Sequence, residues 1–256
     1  MTTVELHHVI DGADDAPPLL LGPSLGTSTA VWEPNVEVLA EHFRVIRYDH
    51  RGQGQSPVPP GPYEIADLGR DVIALLDRLG IERASVGGVS LGGMIVLWLG
   101  AHAPERVDRL LPMCTSSYIA QAPWAERAAA VREAGSTEPI ADTVVGNWLT
   151  PDFASERPEA REWLRAQLVA SPPDGYAECC GAIERMDLRD DLRRIQAPTL
   201  VVSGSDDPST PAEHQRVIAD AIPGARLETI ADAAHLANVQ HPEAVNALIV
   251  DHLEAI

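Results

Sequence analysis

The feature that most constrains this chain is a serine set between two glycines, in the run Gly88-Val89-Ser90-Leu91-Gly92. A strand-like stretch precedes this run, and a helix-like apolar stretch from residue 93 to residue 99 follows it. A strand-to-helix turn of this kind strains the serine backbone, and only glycine-sized neighbours let the strand and the helix approach closely. The turn therefore predicts a hydroxyl at the edge of a sheet, with the amides of the next helix directed at any negative charge that forms there.

A carboxylate follows a second predicted strand. A serine hydroxyl becomes a nucleophile when a base takes its proton and a carboxylate orients that base. The stretch from residue 197 to residue 204 is typical of a buried parallel strand that ends in a glycine turn. Asp206 and Asp207 follow directly, at the end of the strand where open parallel sheets carry their functional groups. Both aspartates are also candidates for capping the helix expected near Pro211.

A histidine lies in the corresponding place after a third predicted strand. The strand-like stretch 225–230 leads into a loop that contains His235, just before a closing helix. His214, His241 and His252 are the competing bases. His252 falls on the last predicted helix and a proline follows His241, so these two are better explained as surface or capping residues. Ser90, one aspartate and His235 thus form an ordered set in which each member follows a predicted strand.

The composition limits the classes of partner. A chain of 256 residues suits one domain with an insertion. Its apolar stretches are too short to cross a bilayer, and its N-terminus lacks the pattern of an export signal. The net charge of −19 opposes nucleic-acid binding, since that binding neutralises phosphates. The odd number of cysteines, which lack metal-ligand spacing, argues against a disulfide framework. We expect a reduced, cytoplasmic protein without a metal.

Strand and helix patterns alternate along the first part of the chain and define the expected fold. Strand-like runs lie near residues 3–10, 18–22, 43–48, 83–87 and 109–113, and the clearest helical stretches are 65–79 and 91–102. From residue 123 to about residue 190 the pattern is helical, and the strand pattern returns at residue 198. The alternation predicts an α/β fold, a mostly parallel central sheet with helices on both faces. Residues 1–120 and 191–256 form the expected core, and residues 121–190 form an inserted helical cap.

Motifs spread over essentially the whole chain carry a resemblance to one family. They are Ser24-Leu25-Gly26-Thr27, Arg47-Tyr48-Asp49-His50-Arg51-Gly52-Gln53-Gly54-Gln55-Ser56, Pro59-Pro60-Gly61-Pro62-Tyr63, Asp67-Leu68-Gly69-Arg70-Asp71, Ser90-Leu91-Gly92-Gly93-Met94, Ala103-Pro104-Glu105-Arg106-Val107, Tyr176-Ala177-Glu178-Cys179-Cys180 and Ala233-Ala234-His235-Leu236-Ala237-Asn238. With these motifs the chain resembles the α/β-hydrolase superfamily, and within it the chain is most similar to the 3-oxoadipate enol-lactonases. One departure is Gln53, where many relatives carry histidine, at a loop position expected to be remote from the serine.

The resemblance implies a serine hydrolase with the catalytic residues Ser90, Asp207 and His235. The chain order Ser, Asp, His is that of the α/β-hydrolases, and the Asp-x-x-Thr-Pro spacing favours Asp207 because it resembles the family's acid loop. The resemblance also implies that the backbone amides of Leu25 and Leu91 form an oxyanion hole, that no cofactor is needed, and that the substrate is a small enol-lactone. The expected reaction is the opening of 3-oxoadipate enol-lactone in aromatic catabolism.

The predicted cap supplies candidates for substrate binding. It contains Trp124, Trp148, Phe153, Trp163 and Tyr176, of which Trp148 is our choice for the pocket, while the others are equally explained as the core of the cap. For the carboxylate of the lactone we expect Arg132 and Arg185, because a guanidinium group binds a carboxylate through two parallel hydrogen bonds. Each arginine is otherwise a surface residue.

Other functions fit the same residues. A general carboxylesterase, a cofactor-free perhydrolase and a carbon–carbon bond hydrolase would use the same three side chains. From a different class, a non-catalytic binding module could retain this fold with an inactive site. Covalent labelling of Ser90 by an organophosphonate, together with turnover of an aryl ester, separates an enzyme from such a binding module.

Overall fold

The computed structural model describes residues 2–119 and 123–255. Within these residues one seven-stranded sheet forms, with the strand order β1-β3-β2-β4-β5-β6-β7. Strand β1 pairs antiparallel with β3, and the other neighbouring strands pair in parallel, which confirms the predicted mostly parallel sheet. The strands are β1 His8–Asp11, β2 Pro18–Gly22, β3 Arg44–Tyr48, β4 Ala84–Val89, β5 Val107–Met113, β6 Leu200–Gly204 and β7 Arg226–Ile230.

Eleven α-helices accompany the sheet in the described part of the chain. They are α1 Glu33–Leu39, α2 Ile65–Arg78, α3 Leu91–His102, α4 Trp124–Ala134, α5 Ala141–Gly146, α6 Pro151–Glu156, α7 Pro158–Val169, α8 Pro173–Arg185, α9 Ala212–Ala221, α10 Ala237–Gln240 and α11 Pro242–Glu254. Helix α3 packs against β2, β4 and β5, and α2 packs against α3. Helix α9 packs on β6 and β7, while α1 contacts α11. None of the described helices combines the length and the apolar character that a membrane span requires.

The sheet and its helices follow directly from the distribution of apolar side chains. All six residues of β4 are buried, as expected for a central strand covered on both faces. Helix α2 is amphipathic, with buried Ile65, Leu68, Val72 and Leu75 at helical spacing, and reciprocal hydrogen bonds of a capping box between Glu64 and Asp67 fix its start. These elements place the end of β4 and the start of α3 at one rigid point of the sheet.

The first strand is shorter than its sequence predicts. The strand pattern extends over residues 3–10, but β1 spans only His8–Asp11. The amides of the preceding residues donate to side chains: the Val4 amide to Asp71 and the His7 amide to Ser56. One backbone bond continues the pairing with β3 by a single residue, from the Asp49 amide to the His7 carbonyl at 2.9 Å.

The segment between β5 and β6 is helical, as its sequence predicts. It contains α4 to α8, in which α4 packs against α8 and α5 packs against α7. The N-terminal turn of α8 approaches the core closely, since a side-chain carbon on Gly175 would collide with the carbonyl group of Gly52. The expected boundary between residues 120 and 121 lies outside the described residues, so the division into core and cap stays a prediction there.

Candidate active site

Ser90 stands at the turn between β4 and α3, in a conformation that few side chains adopt. Its φ of 57° and ψ of −115° lie outside the regions favoured by L-residues. The Ser90 amide donates to the carbonyl of Met113 at 3.0 Å, which ties the turn to β5. A side-chain carbon on Gly88 would collide with the backbone of Gly92, so the two glycines let the strand and the helix cross at this point. The strain predicted from the sequence is thus present at the serine itself.

His235 and Asp207 are brought together from two different loops. The Nδ1 atom of His235 lies 2.9 Å and 3.1 Å from the two carboxylate oxygens of Asp207. Both side chains are buried, with exposed fractions of 4% or less. Because a carboxylate only accepts, His235 donates through Nδ1, which leaves Nε2 as the acceptor in the neutral ring. This is the arrangement that a carboxylate-oriented base requires.

The loop after β6 holds Asp207 in its charged form. The amides of Ser209 and Thr210 and the Thr210 hydroxyl all donate to its carboxylate, at 2.8 to 3.0 Å. Burial raises the pKa of Asp207, but His235 and the hydrogen bonds from Thr210 outweigh burial and leave the pKa below its ordinary value. Asp206 points elsewhere, since its carboxylate accepts from the Ser205 hydroxyl at 2.7 Å and is exposed.

The competing histidines have other partners. His214 contacts the Ser116 hydroxyl at 3.0 Å through Nδ1, and His241 donates to the carbonyl of Asp232. His252 is buried within α11, where burial lowers its pKa. Of these histidines, only His235 lies at the same cavity as Ser90.

This cavity has a volume of about 210 Å³ and lies beside the serine turn. Ser90 and His235 share its walls, and no hydrogen bond joins their side chains among the described residues. Catalytic hydrogen bonds are often long before substrate binds. The remaining lining residues come from both the sheet edge and the helical segment: Ser24, Leu25, Met94, Ile119, Trp124, Arg127, Val144, Asn147, Trp148, Tyr176, Ile183, Pro208, Ser209 and Thr210.

The two expected oxyanion donors lie on well-anchored backbone. Leu91 opens α3 directly after Ser90, and Leu25 lines the cavity in the turn after β2. The carbonyl of Pro23 accepts from the Gly92 amide at 3.0 Å and from His50 Nε2 at 2.9 Å, so it joins the two donor segments. Burial lowers the pKa of His50 to about 4, against the opposite effects of the Pro23 carbonyl and Asp49. His50 is therefore neutral near pH 7 and donates through Nε2.

Gln53 supports the same turn, a role that its sequence position did not reveal. Its carboxamide oxygen accepts from the Gly26 amide, and its NH2 group donates to the carbonyl of Gly52, both at 2.9 Å. Gln53 is fully buried. Gln53 is not among the described residues that line the cavity beside Ser90, but it bonds to Gly26, the direct neighbour of Leu25.

Trp148 lines the cavity, as predicted. Its carbonyl also accepts a hydrogen bond from the amide of Leu236 at 2.9 Å, so it contacts the histidine loop. Trp124 and Tyr176 line the cavity as well, whereas Phe153 and Trp163 contribute to other surfaces.

The structure does not bring Arg132 and Arg185 to the cavity. Arg132 is half exposed and pairs with Glu178 at 2.8 Å, and Arg185 pairs with Glu64 at 2.8 Å while it also donates to a backbone carbonyl. Their expected role in substrate binding is therefore corrected: neither lines the cavity next to Ser90. Each guanidinium group already has a carboxylate partner, Glu178 on α8 for Arg132 and Glu64 at the start of α2 for Arg185.

Arg127 lies where those two arginines were expected. Among the described residues it is the cationic side chain in the cavity lining. Its guanidinium carbon lies 4.8 Å from the centre of the Trp124 ring. Two further polar groups lie nearby: the Trp124 Nε1 is buried without a hydrogen-bond partner in the described part of the chain, and the buried Tyr176 hydroxyl interacts with Arg127.

Comparisons with known proteins show the family to which this fold belongs. The model of the alpha/beta hydrolase fold family matches residues 17–242. The chain is 40% identical to 3-oxoadipate enol-lactonase 2 of Acinetobacter baylyi, over 95% of this chain and 91% of that protein. A solved hydrolase from Pseudomonas aeruginosa PA01 is 43% identical, with a TM-score of 0.94 over 98% of this chain and 94% of that one. An enol-lactonase from Burkholderia xenovorans LB400 is 38% identical, with a TM-score of 0.95 over 98% and 96% of the two chains. These matches confirm the resemblance drawn from the motifs, and the chain belongs to the α/β-hydrolase family as an ester-hydrolysing enzyme.

Proposed function

We propose that this chain is a serine hydrolase that opens a small enol-lactone bearing a carboxylate, with 3-oxoadipate enol-lactone as substrate and 3-oxoadipate as product. The names of its enol-lactonase relatives support this substrate class. The observation that carries the proposal is that Ser90, His235 and Arg127 line one small cavity. A nucleophile, a base and a cation are the three groups that an anionic lactone requires.

The first half of the reaction forms an acyl-enzyme. His235 Nε2 takes the Ser90 proton while the serine oxygen bonds to the lactone carbonyl carbon, and Asp207 stabilises the imidazolium ion. The amides of Leu25 and Leu91 bind the tetrahedral oxyanion, each contributing roughly 3–4 kcal/mol to lowering the barrier. The bond between this carbon and the ring oxygen then breaks, and the proton on His235 passes to the departing enolate oxygen.

The second half regenerates the serine. The released enol remains tethered to the acyl chain and would re-close the ring, but its conversion to a ketone removes that nucleophile. Water then gives a proton to His235 and bonds to the acyl carbon, and the Ser90 oxygen leaves with the proton returned by His235. The product is a 3-oxo diacid, and the atoms balance as one water added to the lactone.

Arg127 is our candidate for binding the substrate carboxylate. Its guanidinium group supplies two parallel donors, which suit a carboxylate better than the single charge of a lysine. Tyr176, whose hydroxyl interacts with Arg127, and Trp124, whose Nε1 has no partner among the described residues, line the same cavity, and both groups can donate to the same anion after a small adjustment of the side chains. The protein's net charge of −19 would repel an anionic substrate, but salt screens charges beyond about 8–10 Å. The nearby Arg127 therefore has more influence on the bound carboxylate than the distant acidic residues.

The surrounding walls favour a small substrate over a long-chain ester. Leu25, Met94, Ile119, Val144 and Ile183 contribute apolar surface to a cavity of about 210 Å³. A general carboxylesterase, a perhydrolase and a carbon–carbon bond hydrolase remain the alternatives, since they use the same triad. The three buried free thiols fit a reducing compartment, and we propose the cytoplasm.

Side-by-side assays test the proposal. The purified enzyme is offered the enol-lactone, a saturated lactone bearing the same carboxylate, a neutral aryl ester and a carbamate of similar size. We expect the highest kcat/KM for the enol-lactone, loss of activity by several orders of magnitude in Ser90→Ala, and phosphonate labelling of the native enzyme only. An unchanged rate in Ser90→Ala would rule out the serine mechanism, and a preference for the neutral ester would rule out the substrate class.

A further inference from the structure

Gln240 ends the short helix α10 and is engaged in four hydrogen bonds. Its carboxamide oxygen accepts from the amides of Ala234 and Thr150, at 3.1 Å and 3.3 Å. Its NH2 group donates to the carbonyl of Asp232 at 2.6 Å and to the hydroxyl of Thr150 at 2.7 Å. The residue is 6% exposed, so water does not compete for these bonds. Both lone-pair positions of the oxygen and both N–H groups are used, which fixes the carboxamide in one orientation.

These four bonds join two segments that are 90 residues apart in sequence. Asp232 and Ala234 belong to the loop that carries His235, and Thr150 is the residue before α6 in the helical segment. A second connection lies on the other side of the histidine, where the Leu236 amide donates to the Trp148 carbonyl at 2.9 Å. The amides on either side of His235 are therefore both bound, one by Gln240 and one by the segment that forms the cavity wall.

The loop needs such support because its own backbone is not regular. Asp232 has a φ of 54°, a left-handed conformation that costs a non-glycine residue energy. Its carbonyl accepts from two side chains, Gln240 and the neighbouring His241. Without Gln240, the amide of Ala234 would be buried without its partner. The bonds that remain, from the Asp232 amide to Ser205, from the Asp206 amide to the Ala233 carbonyl and from His241 to the Asp232 carbonyl, hold the start of the loop but not the residue directly before His235.

We propose that Gln240 is a positioning residue that sets the approach of His235 to Ser90 by fixing the histidine loop against Thr150. This inference rests on the proposed function, because it assigns to His235 the role of base. It adds a physical link between the cavity wall and the base, because the segment of Trp148 to Thr150 lines the cavity through Trp148 and bonds to Leu236 and Gln240 on the histidine side. If the cap is replaced by that of another protein, we expect this alignment to be lost unless the new cap keeps a threonine at position 150 to bond with Gln240.

Two substitutions separate the contribution of the Thr150 hydroxyl from that of the other Gln240 hydrogen bonds. Gln240→Met keeps the length of the side chain and removes all four hydrogen bonds, whereas Thr150→Val removes only the hydroxyl acceptor. We expect Gln240→Met to lower kcat by roughly 10- to 100-fold, the penalty for a displacement of about 1 Å at a base, with KM for the aryl ester changed much less. We expect a smaller decrease in Thr150→Val and near-native kcat in Thr150→Ser, which retains the hydroxyl.

A spectroscopic readout distinguishes positioning from a general loss of stability. The proton between His235 Nδ1 and Asp207 gives a far-downfield NMR resonance, and we expect it to broaden or shift in Gln240→Met. The matched control is Asn246→Leu on α11, which removes the buried hydrogen bond that Asn35 of α1 donates to the Asn246 carboxamide and alters no described hydrogen bond of residues 232–236. The control should lower the thermal midpoint and leave both kcat and the resonance unchanged.

The outcomes are distinct. Native kcat and an unchanged resonance in a folded Gln240→Met would overturn the inference, and so would equal effects of Thr150→Ser and Thr150→Val on kcat if Gln240→Met does not fold. Loss of kcat with the altered resonance, against a normal Asn246→Leu, supports it. Failure of the proposed function is recognised separately, since Ser90→Ala would then keep its activity whatever happens at Gln240.

Discussion

The carboxamide of Gln53 bonds to the amide of Gly26 at 2.9 Å, and both residues are buried. Gly26 follows Leu25, whose amide is our proposed oxyanion donor, and the φ of Gly26 is +82°. The hydrogen bond fixes the peptide plane between these two residues from the far side of the turn. The carboxamide offers the Gly26 amide an acceptor that does not titrate.

Replacing Gln53 by methionine tests this support. The change removes the acceptor for the Gly26 amide and keeps the volume of the side chain. We expect kcat to fall by roughly tenfold or more, less than the 10²- to 10³-fold loss on deleting a donor outright. The informative measurement compares an ester with the matching thionoester, because sulfur accepts hydrogen bonds poorly and gains little from the oxyanion hole. A decrease of equal size for both substrates would contradict the positioning of the oxyanion turn.

Adjacent aspartates provide a matched pair for the triad. In Asp207→Asn the ring of His235 loses the carboxylate that sets its tautomer, and we expect kcat to fall on the order of 10⁴-fold. In Asp206→Asn the change affects an exposed carboxylate that faces Ser205, and we expect near-native kcat. Steady-state kinetics of the two variants on one ester decide the assignment. A large loss in Asp206→Asn together with a mild one in Asp207→Asn would reverse it.

Arg127 and Arg132 form a second matched pair, on the same helix. Arg127→Met should raise KM for carboxylate-bearing lactones by roughly tenfold or more, the loss expected for a charged hydrogen bond, and should affect neutral esters little. Arg132→Met removes a half-exposed ion pair with Glu178 and should leave both KM values unchanged. Measuring KM for one anionic and one neutral substrate in both variants checks this. Equal effects of Arg127→Met on the two substrates would exclude carboxylate binding.

His50 predicts a pH dependence of stability. Burial lowers its pKa from 6.5 to about 4, so between these values the unfolded chain binds more protons than the folded one. The contribution of His50 to the free energy of unfolding is complete above pH 6.5. It is lost as the pH falls toward 4, at up to about 1.4 kcal/mol per pH unit. His252, whose pKa burial also lowers, acts in the same direction. Urea unfolding at several pH values should therefore give a shallower slope in His50→Gln, which keeps a side-chain donor, than in the native chain. Parallel curves would contradict the assignment.

The core elements and the three candidate catalytic residues were accessible from the sequence because their signals are local. Strand β4, the glycines around Ser90 and helix α3 lie within 20 residues of one another, and helix α3 has the bounds that its apolar run predicts. His235 and Asp207 were found because both follow strands, and parallel strands bring their carboxyl ends to one edge. The geometry between them, at 2.9 Å, is what the sequence could not supply.

The cationic side chain of the cavity was not accessible in the same way. Arg127 and Arg132 are five residues apart on α4, which at 3.6 residues per turn places them on different faces of the helix. Arg185 is nine residues from Tyr176 on α8, half a turn away from its face. Packing between the helices decides which face of each helix meets the core. The positions of single arginines in the sequence do not indicate that face.

Gln53 and Gln240 were missed for a related reason. Their hydrogen bonds join residues up to 90 positions apart, and most of their partners are backbone amides or carbonyls, which every sequence contains. Glutamine has no positional preference that would mark such a residue in advance. Burial was the missing information, since a fully buried carboxamide must find partners for its N–H and C=O groups.

The contact between Gly52 and Gly175 limits which positions of this enzyme tolerate substitution. The two backbones meet there without side chains between them. Any larger residue at either position would push α8 away from the loop after β3. Variation in substrate range is then left to the side chains of α4 and α5, where Trp124, Arg127 and Val144 face the cavity. Libraries that vary these three positions and spare both glycines should recover folded enzymes of altered specificity far more often than libraries that vary the start of α8.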